Sequence, residues 1–270
     1  MGDSVKDRLN RLGVRPTVSL GQNFLDDRDS AEKIVDAAEI NDSDTVLEIG
    51  PGLGVLTDFI VKRAEKTILV EKDKALIGYL EGRYSGYETT IIEGDVLEIN
   101  LPVFDKVISN LPFSISSPVT FKLLDEDFQF GVLTYQKQFA ERMVADPRGK
   151  NYSRLSVMVS VRADVERLFN LSKGCFYPPP KVDATVVRLT PSEPEFELID
   201  KDIFAEVVKH LFNYRRKQIK NALELGLEIV DQNIPYRKRR VGNLSPEQIN
   251  EIVTHIIEND LMPEDRSEKG

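Results

Sequence analysis

Short apolar runs alternate with amphipathic stretches over the first two thirds of the chain. This pattern is typical of a parallel sheet covered by helices on both faces. Seven apolar runs are predicted to be strands, over residues 45–49, 67–71, 89–92, 106–109, 131–135, 155–161 and 184–189. The 3.6-residue period predicts helices over residues 30–38, 55–63, 74–83, 118–124 and 138–144. No comparable helix separates the last two strands, so we expect them to form an antiparallel pair at one sheet edge.

The last third of the chain has a helical pattern, and a linker rich in proline and acidic residues at 190–195 precedes it. Helices are predicted over 202–212 and 215–225, and a last helix begins after Ser245. Ser245 suits an N-cap, Pro246 suits the first helical position, and Gln248 can complete a capping box.

These elements predict an α/β fold, with a Rossmann-like seven-stranded sheet followed by a small all-helical C-terminal domain. The first domain is expected over residues 1–190 and the second over residues 191–270. Residues 1–30 are polar and predicted to be irregular, and residues 263–270 are predicted to be a frayed tail.

Composition places the chain among ordinary globular proteins, with 41% hydrophobic and 30% charged residues in a total of 270. No apolar run approaches the roughly 20 residues of a membrane helix, and the first residues lack a signal-peptide core. The single cysteine, Cys175, excludes an intrachain disulfide. With only Cys175, His210 and His255 available, a Cys/His metal site is not expected. We therefore expect a cytoplasmic protein without a metal.

The charge of the chain is unevenly distributed. Its net charge is −9, yet nine basic residues face three acidic ones between Lys209 and Arg240, a local balance of +6. The basic residues fall into two clusters, near Arg215 and near Arg237. A solvated helix face is the alternative explanation, but the tight clustering in an acidic chain favours a phosphate-binding surface.

A glycine-rich turn follows the first predicted strand, in the sequence Glu48-Ile49-Gly50-Pro51-Gly52-Leu53-Gly54. Such a turn lets the backbone approach a ligand closely and leads into a helix N-terminus. A nicotinamide dinucleotide site would have the spacing G-x-G-x-x-G, but its third glycine would fall at Val55. The spacing therefore favours another nucleoside-containing cofactor, although a plain strand–helix turn stays possible on this motif alone.

Two acids at predicted strand ends support a nucleoside site. Glu71 ends the second strand, where its carboxylate can accept from both ribose hydroxyls, and Asp95 follows the third strand, where it can accept from an adenine amino group. Ligands of doubly wound sheets lie at the carboxyl ends of strands, so both acids are predicted to face one crevice with Gly50 and Gly52.

The turn Asn110-Leu111-Pro112-Phe113 follows the fourth strand at the same crevice edge. If the Asn110 side-chain oxygen and the Leu111 carbonyl accept both hydrogens of an aromatic amine, its nitrogen is pulled towards tetrahedral geometry. Its lone pair can then attack a sulfonium methyl group. Pro112 stiffens the turn, and Phe113 can stack on the base. A turn former beside a core phenylalanine is the alternative for this motif in isolation.

At these residues the chain resembles the small-subunit ribosomal RNA adenine dimethyltransferases of KsgA type. The resemblance covers about residues 20–189 and also includes the stretches Leu20-Gly21-Gln22-Asn23-Phe24-Leu25, Ser153-Arg154-Leu155-Ser156-Val157 and Phe176-Tyr177-Pro178-Pro179-Pro180-Lys181-Val182-Asp183. It implies that the N-terminal segment closes over S-adenosylmethionine, with contacts from Asn23 and Leu25, and that Gly50, Glu71, Asp95 and Asn110 match the remaining cofactor-contact positions. The last residue of the Asn110 motif is often Tyr in that family but is Phe113 here, so no phenolic hydroxyl takes part.

The resemblance implies an enzyme that dimethylates two adjacent adenosines in the 3′-terminal hairpin loop of small-subunit rRNA. Its implied partners are that rRNA and the immature small ribosomal subunit, which a helical RNA-binding C-terminal domain would grip, and we expect a monomer. Two alternatives stay open on the sequence alone. One is a large-subunit rRNA methylase of the macrolide-resistance type, and the other is chiefly an RNA-binding ribosome assembly factor.

Overall fold

A seven-stranded mixed sheet forms the centre of the computed structural model, which describes residues 4–16 and 21–263. Its strands are β2 (Thr45–Ile49), β3 (Lys66–Glu71), β4 (Thr89–Glu93), β5 (Lys106–Asn110), β6 (Phe130–Gln136), β7 (Ala163–Leu171) and β9 (Ala184–Pro191). The strand order is β4-β3-β2-β5-β6-β9-β7. The neighbours from β4 to β6 are parallel, and β9 pairs antiparallel with β6. The predicted α/β class and the Rossmann-like sheet are confirmed.

Helices cover this sheet and build the rest of the chain. The first six are α1 (Val5–Leu12), α2 (Arg28–Asp36), α3 (Thr57–Ile60), α4 (Lys74–Tyr84), α5 (Ser116–Leu123) and α6 (Lys137–Met143). Four more follow: α7 (Arg154–Ser160), α8 (Lys201–Asn213), α9 (Ile219–Leu227) and α10 (Pro246–Glu258). The central strand β2 is buried along nearly its whole length, as a parallel strand covered on both faces must be. None of the helices in the described ranges is long and apolar enough to cross a membrane.

The chain divides into two compact units. The first comprises the described residues up to Ala140 together with Val165–Pro191, and the second comprises Glu141–Asp164 with the described residues from Ser192 onward. The second unit has its own apolar core, in which Tyr152 and Val157 pack with side chains of α8, α9 and α10. The sequence pattern predicts one unbroken first domain over residues 1–190, whereas residues 141–164 group with the helical unit.

The predicted strand over 155–161 is wrong, because these residues form α7. Its β-branched side chains favour a strand, but Ser153 and Ser156 close a capping box that starts a helix. Val157 and Val161, one helical turn apart, both enter the core of the second unit. The actual edge strand is β7, in which four polar or charged side chains interrupt five apolar ones and obscure the strand pattern, and it lies beside β9.

Residues 1–30 contain more structure than their polar composition predicts. Ser4 caps α1, which buries Val5 and Leu9, and Phe24–Leu25 form a short strand, β1. This strand pairs antiparallel with β8 (Phe176–Tyr177), a contact between distant parts of the chain that local patterns cannot reveal. Leu20 and residues 264–270 of the predicted tail lie outside the described residues.

The helical unit follows the sequence analysis in most respects. The predicted capping box at the start of α10 is confirmed, with reciprocal hydrogen bonds between Ser245 and Gln248. Helix α9 begins at Ile219 rather than at residue 215, because Gln218 is extended and forms a β-bridge with Arg240.

Candidate active site

A crevice opens at the carboxyl ends of strands β2, β3, β4 and β5, within the first unit. This is the expected ligand position in an open α/β sheet. Its walls come from the glycine loop after β2, the ends of β3 and β4, the turn after β5, and the segment around β1. The residues that line it include Asn23, Leu25, Glu48, Gly50, Gly52, Glu71, Asp95, Asn110 and Pro112.

The glycine loop has a backbone that L side chains rarely adopt. Gly50, Gly52 and Gly54 have φ angles of 65°, 59° and 76°. A Cβ atom on Gly52 would lie 2.9 Å from the ring of Phe24, and one on Gly54 would lie 1.9 Å from the Tyr84 hydroxyl. Conformation and space therefore both require glycine here, and the loop exposes backbone to the crevice.

Glu71 stands at the end of β3 with its carboxylate held in place. Its Oε2 accepts a hydrogen bond from the Gly52 N–H at 3.1 Å, and its Oε1 accepts from the Asp73 N–H at 2.8 Å. Burial raises the pKa of this carboxyl, while the two backbone donors oppose that rise. A carboxylate offers about four lone-pair positions, so two remain for further donors such as a ribose diol.

Asp95 lies just beyond β4 on the same crevice wall. Its Oδ2 accepts from the Lys72 ammonium at 2.6 Å, and its Oδ1 accepts from the Leu97 N–H at 2.9 Å. The hydrogen bond from Lys72 lowers the pKa of Asp95. The ionised carboxylate is thus an acceptor-only group at the rim of the crevice, suited to the amino group of a base.

The orientation of Asn110 at the end of β5 follows from one hydrogen bond. Its Nδ2 donates to the main-chain carbonyl of Asn23 at 3.0 Å. A carbonyl can only accept, so the amide nitrogen must face Asn23, and Oδ1 is the acceptor atom directed the other way. The bond also joins the turn after β5 to the segment that precedes β1.

The other three residues of the predicted Asn110 motif do not all line the crevice. Pro112 lines the crevice and lies beside Gly50, whereas the Leu111 side chain is buried in the core. Phe113 lies outside the lining of the crevice and packs edge to face against Phe176, with ring centroids 6.5 Å apart. The crevice therefore brings together Asn110, Pro112 and every residue predicted to contact the cofactor, but not the side chains of Leu111 and Phe113.

The segment around β1 covers one side of the crevice. Leu25 is paired with Phe176 in the two-stranded sheet, and the Asp26 N–H donates to the Cys175 carbonyl at 2.8 Å. The Asp26 carboxylate in turn accepts from the Val5 N–H of α1 at 2.8 Å. Asn23 and Leu25 are thus held at the crevice by main-chain bonds to distant parts of the first unit.

One acidic residue of the crevice is missing from the predicted site. Glu48, in β2, is almost fully buried, and its Oε2 accepts from the Thr57 hydroxyl at 2.6 Å. Burial raises the pKa of its carboxyl to about 8. The signal in the sequence is its position two residues before Gly50, within an apolar strand that would otherwise exclude a carboxylate.

Comparison with known proteins places these features in a family. The family described as "Ribosomal RNA adenine dimethylase" matches residues 15–258. A "Probable ribosomal RNA small subunit methyltransferase A" from Pyrococcus abyssi is 41% identical, over 97% of this chain and 100% of that protein. A protein of the same description from Thermococcus kodakarensis is 45% identical, over 93% of this chain and 94% of that protein.

Solved structures agree with the sequence comparisons. A dimethyladenosine transferase from Plasmodium falciparum superposes with a TM-score of 0.78 at 31% identity, covering 88% of this chain and 99% of that one. The 23S rRNA methyltransferase ErmE superposes with a TM-score of 0.67 at 25% identity, covering 87% of this chain and 100% of that one. The chain belongs to the ribosomal RNA adenine dimethylase family.

Proposed function

We propose that this methyltransferase uses S-adenosylmethionine to dimethylate the exocyclic amines of two adjacent adenosines in the 3′-terminal hairpin loop of small-subunit rRNA. The substrate is the immature small ribosomal subunit, and the reaction belongs to its biogenesis in the cytoplasm, with the protein acting as a monomer. The observation that carries the proposal is the position of Asn110, which lines the same crevice as Glu71 and Asp95 and whose Nδ2 is bonded to the Asn23 carbonyl, so that Oδ1 is left to accept.

The crevice residues fit S-adenosylmethionine in their chemistry. Glu71 offers acceptor positions for the ribose hydroxyls, and Asp95 offers an acceptor for the adenine amino group. The exposed backbone of Gly50 and Gly52 lets the donor lie close to the end of β2. Asn23 and Leu25 cover it from the side of β1. When bound, the cofactor supplies an electrophilic methyl group on a sulfonium.

The amine of adenine is a poor nucleophile, because its lone pair is delocalised into the ring. Asn110 Oδ1 and the Leu111 main-chain carbonyl accept its two hydrogens and orient the lone pair for attack. Catalysis is then mostly positioning, which can contribute several kcal/mol to lowering the barrier. Pro112 adds no competing N–H to the turn. After the first transfer the methylated nitrogen loses one proton to solvent, so one N–H remains, and a single acceptor orients this N–H for the second transfer.

In this proposal Phe113 supports the substrate base by stacking, from a position beside the crevice rather than in its lining. Its ring is held edge to face by Phe176, beside the turn that carries Asn110. One ring face can stack on a base that has left its RNA stack, an interaction of about 1–3 kcal/mol. A loop adenosine leaves its stack at lower cost than a duplex one, which favours a hairpin loop as the target.

The helical unit offers a surface for RNA phosphates. Its two basic clusters, residues 215–220 and 237–241, are joined by main-chain bonds from Ile219 N to Arg239 O, Lys220 N to Arg237 O and Val241 N to Lys217 O, at 2.9, 3.1 and 3.0 Å. We call this pair of segments the basic ladder. Within the described chain, no hydrogen bond or ion pair occupies its exposed side chains, which are Arg216, Lys217, Lys220, Lys238 and Arg240.

Two alternatives are less well supported. The large-subunit enzyme ErmE is 25% identical to this chain, whereas relatives described as small-subunit methyltransferases reach 41–45%. A purely non-catalytic assembly factor would have no use for the glycine loop, the two acids and Asn110 in one crevice. A placement role on the immature subunit is compatible with the catalytic one.

Labelled S-adenosylmethionine and unmodified ribosomal subunits test this proposal. We expect label in the RNA of immature small subunits, at two adjacent adenosines near the 3′ end, with two methyl groups on each. Label confined to large-subunit RNA would favour the macrolide-resistance alternative. No label in either subunit would favour the assembly factor without catalysis.

A further inference from the structure

A second, strongly basic groove lies outside the crevice, on the face of the first unit formed by α1, α3 and α4. It consists of two recesses that share Arg28, Asp58 and Arg83. We call it the arginine groove. Its cationic lining is completed by Arg8 and Arg11 in one recess and by Lys62 in the other.

Among the side chains that line the groove, basic residues outnumber carboxylates. Five basic side chains line it against two acids, Asp26 and Asp58. Asp58 already accepts two hydrogen bonds from Arg83 Nη2, at 2.8 and 2.7 Å, one from the Tyr84 hydroxyl at 2.9 Å, and one from Arg28 Nη1 at 3.5 Å. Asp26 is engaged by the main chain of α1. This local majority of basic residues occurs in a chain whose net charge is −9, so the groove has a positive field in an otherwise acidic protein.

Several side chains in the groove are arranged for planar or anionic ligands. Arg28 lies over the Phe59 ring, 4.7 Å from its centroid, with its side chain 62% exposed. Tyr87 is exposed at the edge of the second recess. Two buried polar atoms of the first recess, Arg8 Nε and Tyr79 Oη, lack hydrogen-bond partners among the described residues.

The groove is also adjacent to the methyl-transfer crevice. Val55 lines both. The Tyr84 hydroxyl donates to the Gly54 carbonyl at 2.8 Å, and Arg8 donates to the Leu53 carbonyl at 3.5 Å. The groove and the crevice are therefore separated by little more than the glycine loop. An RNA strand whose target base lies in the crevice can therefore place the phosphates of nearby nucleotides in the groove.

We propose that the arginine groove binds the phosphodiester backbone of the substrate RNA, at nucleotides outside the methylated pair. This proposal rests on the proposed function, since it takes the substrate to be RNA. The groove positions the RNA through phosphate contacts, which carry affinity but no sequence information.

The test measures the affinity of the full-length protein for immature small subunits as a function of salt. Arg28→Gln combined with Lys62→Gln removes two exposed cations. For each phosphate that the variant no longer neutralises, the slope of log affinity against log salt should flatten by about 0.7–0.9. Binding should also weaken roughly fivefold per phosphate at 0.15 M salt. The matched control is Arg167→Gln combined with Lys173→Gln, which removes two cations from exposed positions on and just after the edge strand β7 at the other end of the sheet.

Weaker binding by the double variant could also come from misfolding. A variant that gains positive charge and binds more tightly excludes that explanation. Leu12, at the end of α1, lines the groove and is 38% exposed. We expect Leu12→Lys to tighten subunit binding and to steepen the salt slope by up to about 0.9. Lysine is well tolerated near a helix C-terminus, so the fold should be retained.

The outcomes separate the two proposals. Transfer of label by the wild-type protein to small-subunit RNA tests the proposed function by itself. If that transfer occurs but both groove variants keep the wild-type affinity and salt slope, the groove proposal is wrong. It is also wrong if the double variant loses only thermal stabilisation by inorganic phosphate, because the groove would then be a site for free anions.

Discussion

At the scale of single residues, the chemistry depends on where a few polar atoms point. Asn110 Oδ1 is directed by the bond from Nδ2 to the Asn23 carbonyl, and the Glu71 carboxylate is fixed by two main-chain donors. The sequence was enough to predict which residues belong to the site, because glycine loops and strand-end acids have recurring positions in such folds. Their orientations could not, since the partners of Asn110 and Glu71 come from distant segments.

Asn110→Ala is expected to lower methyl transfer to small subunits by at least about 100-fold, because the amine loses an acceptor that orients it. Subunit affinity should stay within about twofold, since most affinity comes from phosphate contacts. Asn100→Ala, at an exposed asparagine of the same unit, serves as the control. If transfer and affinity fall together, Asn110 is a structural residue that holds the segment around β1.

Glu48 makes stability depend on pH with a defined sign. Burial raises the pKa of its carboxyl from 4.5 to about 8. Between these values the folded state keeps a proton that the unfolded state releases. Stability therefore falls as pH rises, by about 1.4 kcal/mol per pH unit. The contribution of protonated Glu48 to the free energy of unfolding is complete below pH 4.5, and it is lost once the pH passes through about 8.

Glu48→Gln should remove this dependence, because glutamine keeps an acceptor for the Thr57 hydroxyl without a titrating proton. The difference in free energy of unfolding between variant and wild type, measured in urea from about pH 5 to 8, should grow in favour of the variant. Glu81→Gln, at an exposed position on α4, should show no such trend. Parallel curves for the wild type and the Glu48 variant would contradict the assignment.

At the scale of elements, the glycine loop packs directly against α4. The Tyr84 hydroxyl, at the end of α4, donates to the Gly54 carbonyl and leaves no room for a Cβ at that position. This contact holds the loop that forms one wall of the crevice. Local patterns predicted α4 almost to the residue, yet its contact with the loop depends on the tertiary fold.

Gly54→Ala is expected to destabilise the protein by about 2–5 kcal/mol, from strain at a φ of 76° together with overpacking against Tyr84. It should also weaken binding of S-adenosylhomocysteine, because the loop must shift. Gly78→Ala, within α4, is the matched control. Its Cβ meets nothing within 4 Å, so it should stabilise by about 0.5–1 kcal/mol. Equal effects at both positions would contradict the packing described here.

The two errors in the predicted secondary structure, at residues 155–161 and at β7, have the same cause. Residues 155–161 have the β-branched composition of a strand, but a capping box and the core of the helical unit make them α7. The edge strand β7 mixes charged and apolar side chains, because much of it is exposed. In both cases the tertiary surroundings outweigh local propensity. The buried central strands had no such conflict and were predicted within one or two residues.

At the scale of the whole molecule, charge is separated by region. The basic ladder and the arginine groove are cationic in a chain with a net charge of −9. The excess of basic residues between Lys209 and Arg240 was visible in the sequence. Its assembly from two segments depends on the main-chain bonds of Ile219, Lys220 and Val241, which sequence patterns do not reveal.

Lys220→Gln combined with Lys238→Gln removes one exposed cation from each segment of the basic ladder. We expect weaker binding to immature small subunits and a salt slope flatter by about 0.7–0.9 for each phosphate that is no longer neutralised. Arg167→Gln combined with Lys173→Gln removes the same charge from exposed positions of the first unit and should leave the slope unchanged. An unchanged slope in the ladder variant would place the RNA-binding surface elsewhere.

The most direct test of the central claim is a crystal structure of the protein with S-adenosylhomocysteine and the target RNA hairpin. We expect the cofactor product against Glu71 and Asp95. The adenine N6 should lie within hydrogen-bond distance of Asn110 Oδ1 and the Leu111 carbonyl. A cofactor bound outside the crevice, or a target adenine whose amine contacts neither oxygen, would contradict the proposed mechanism.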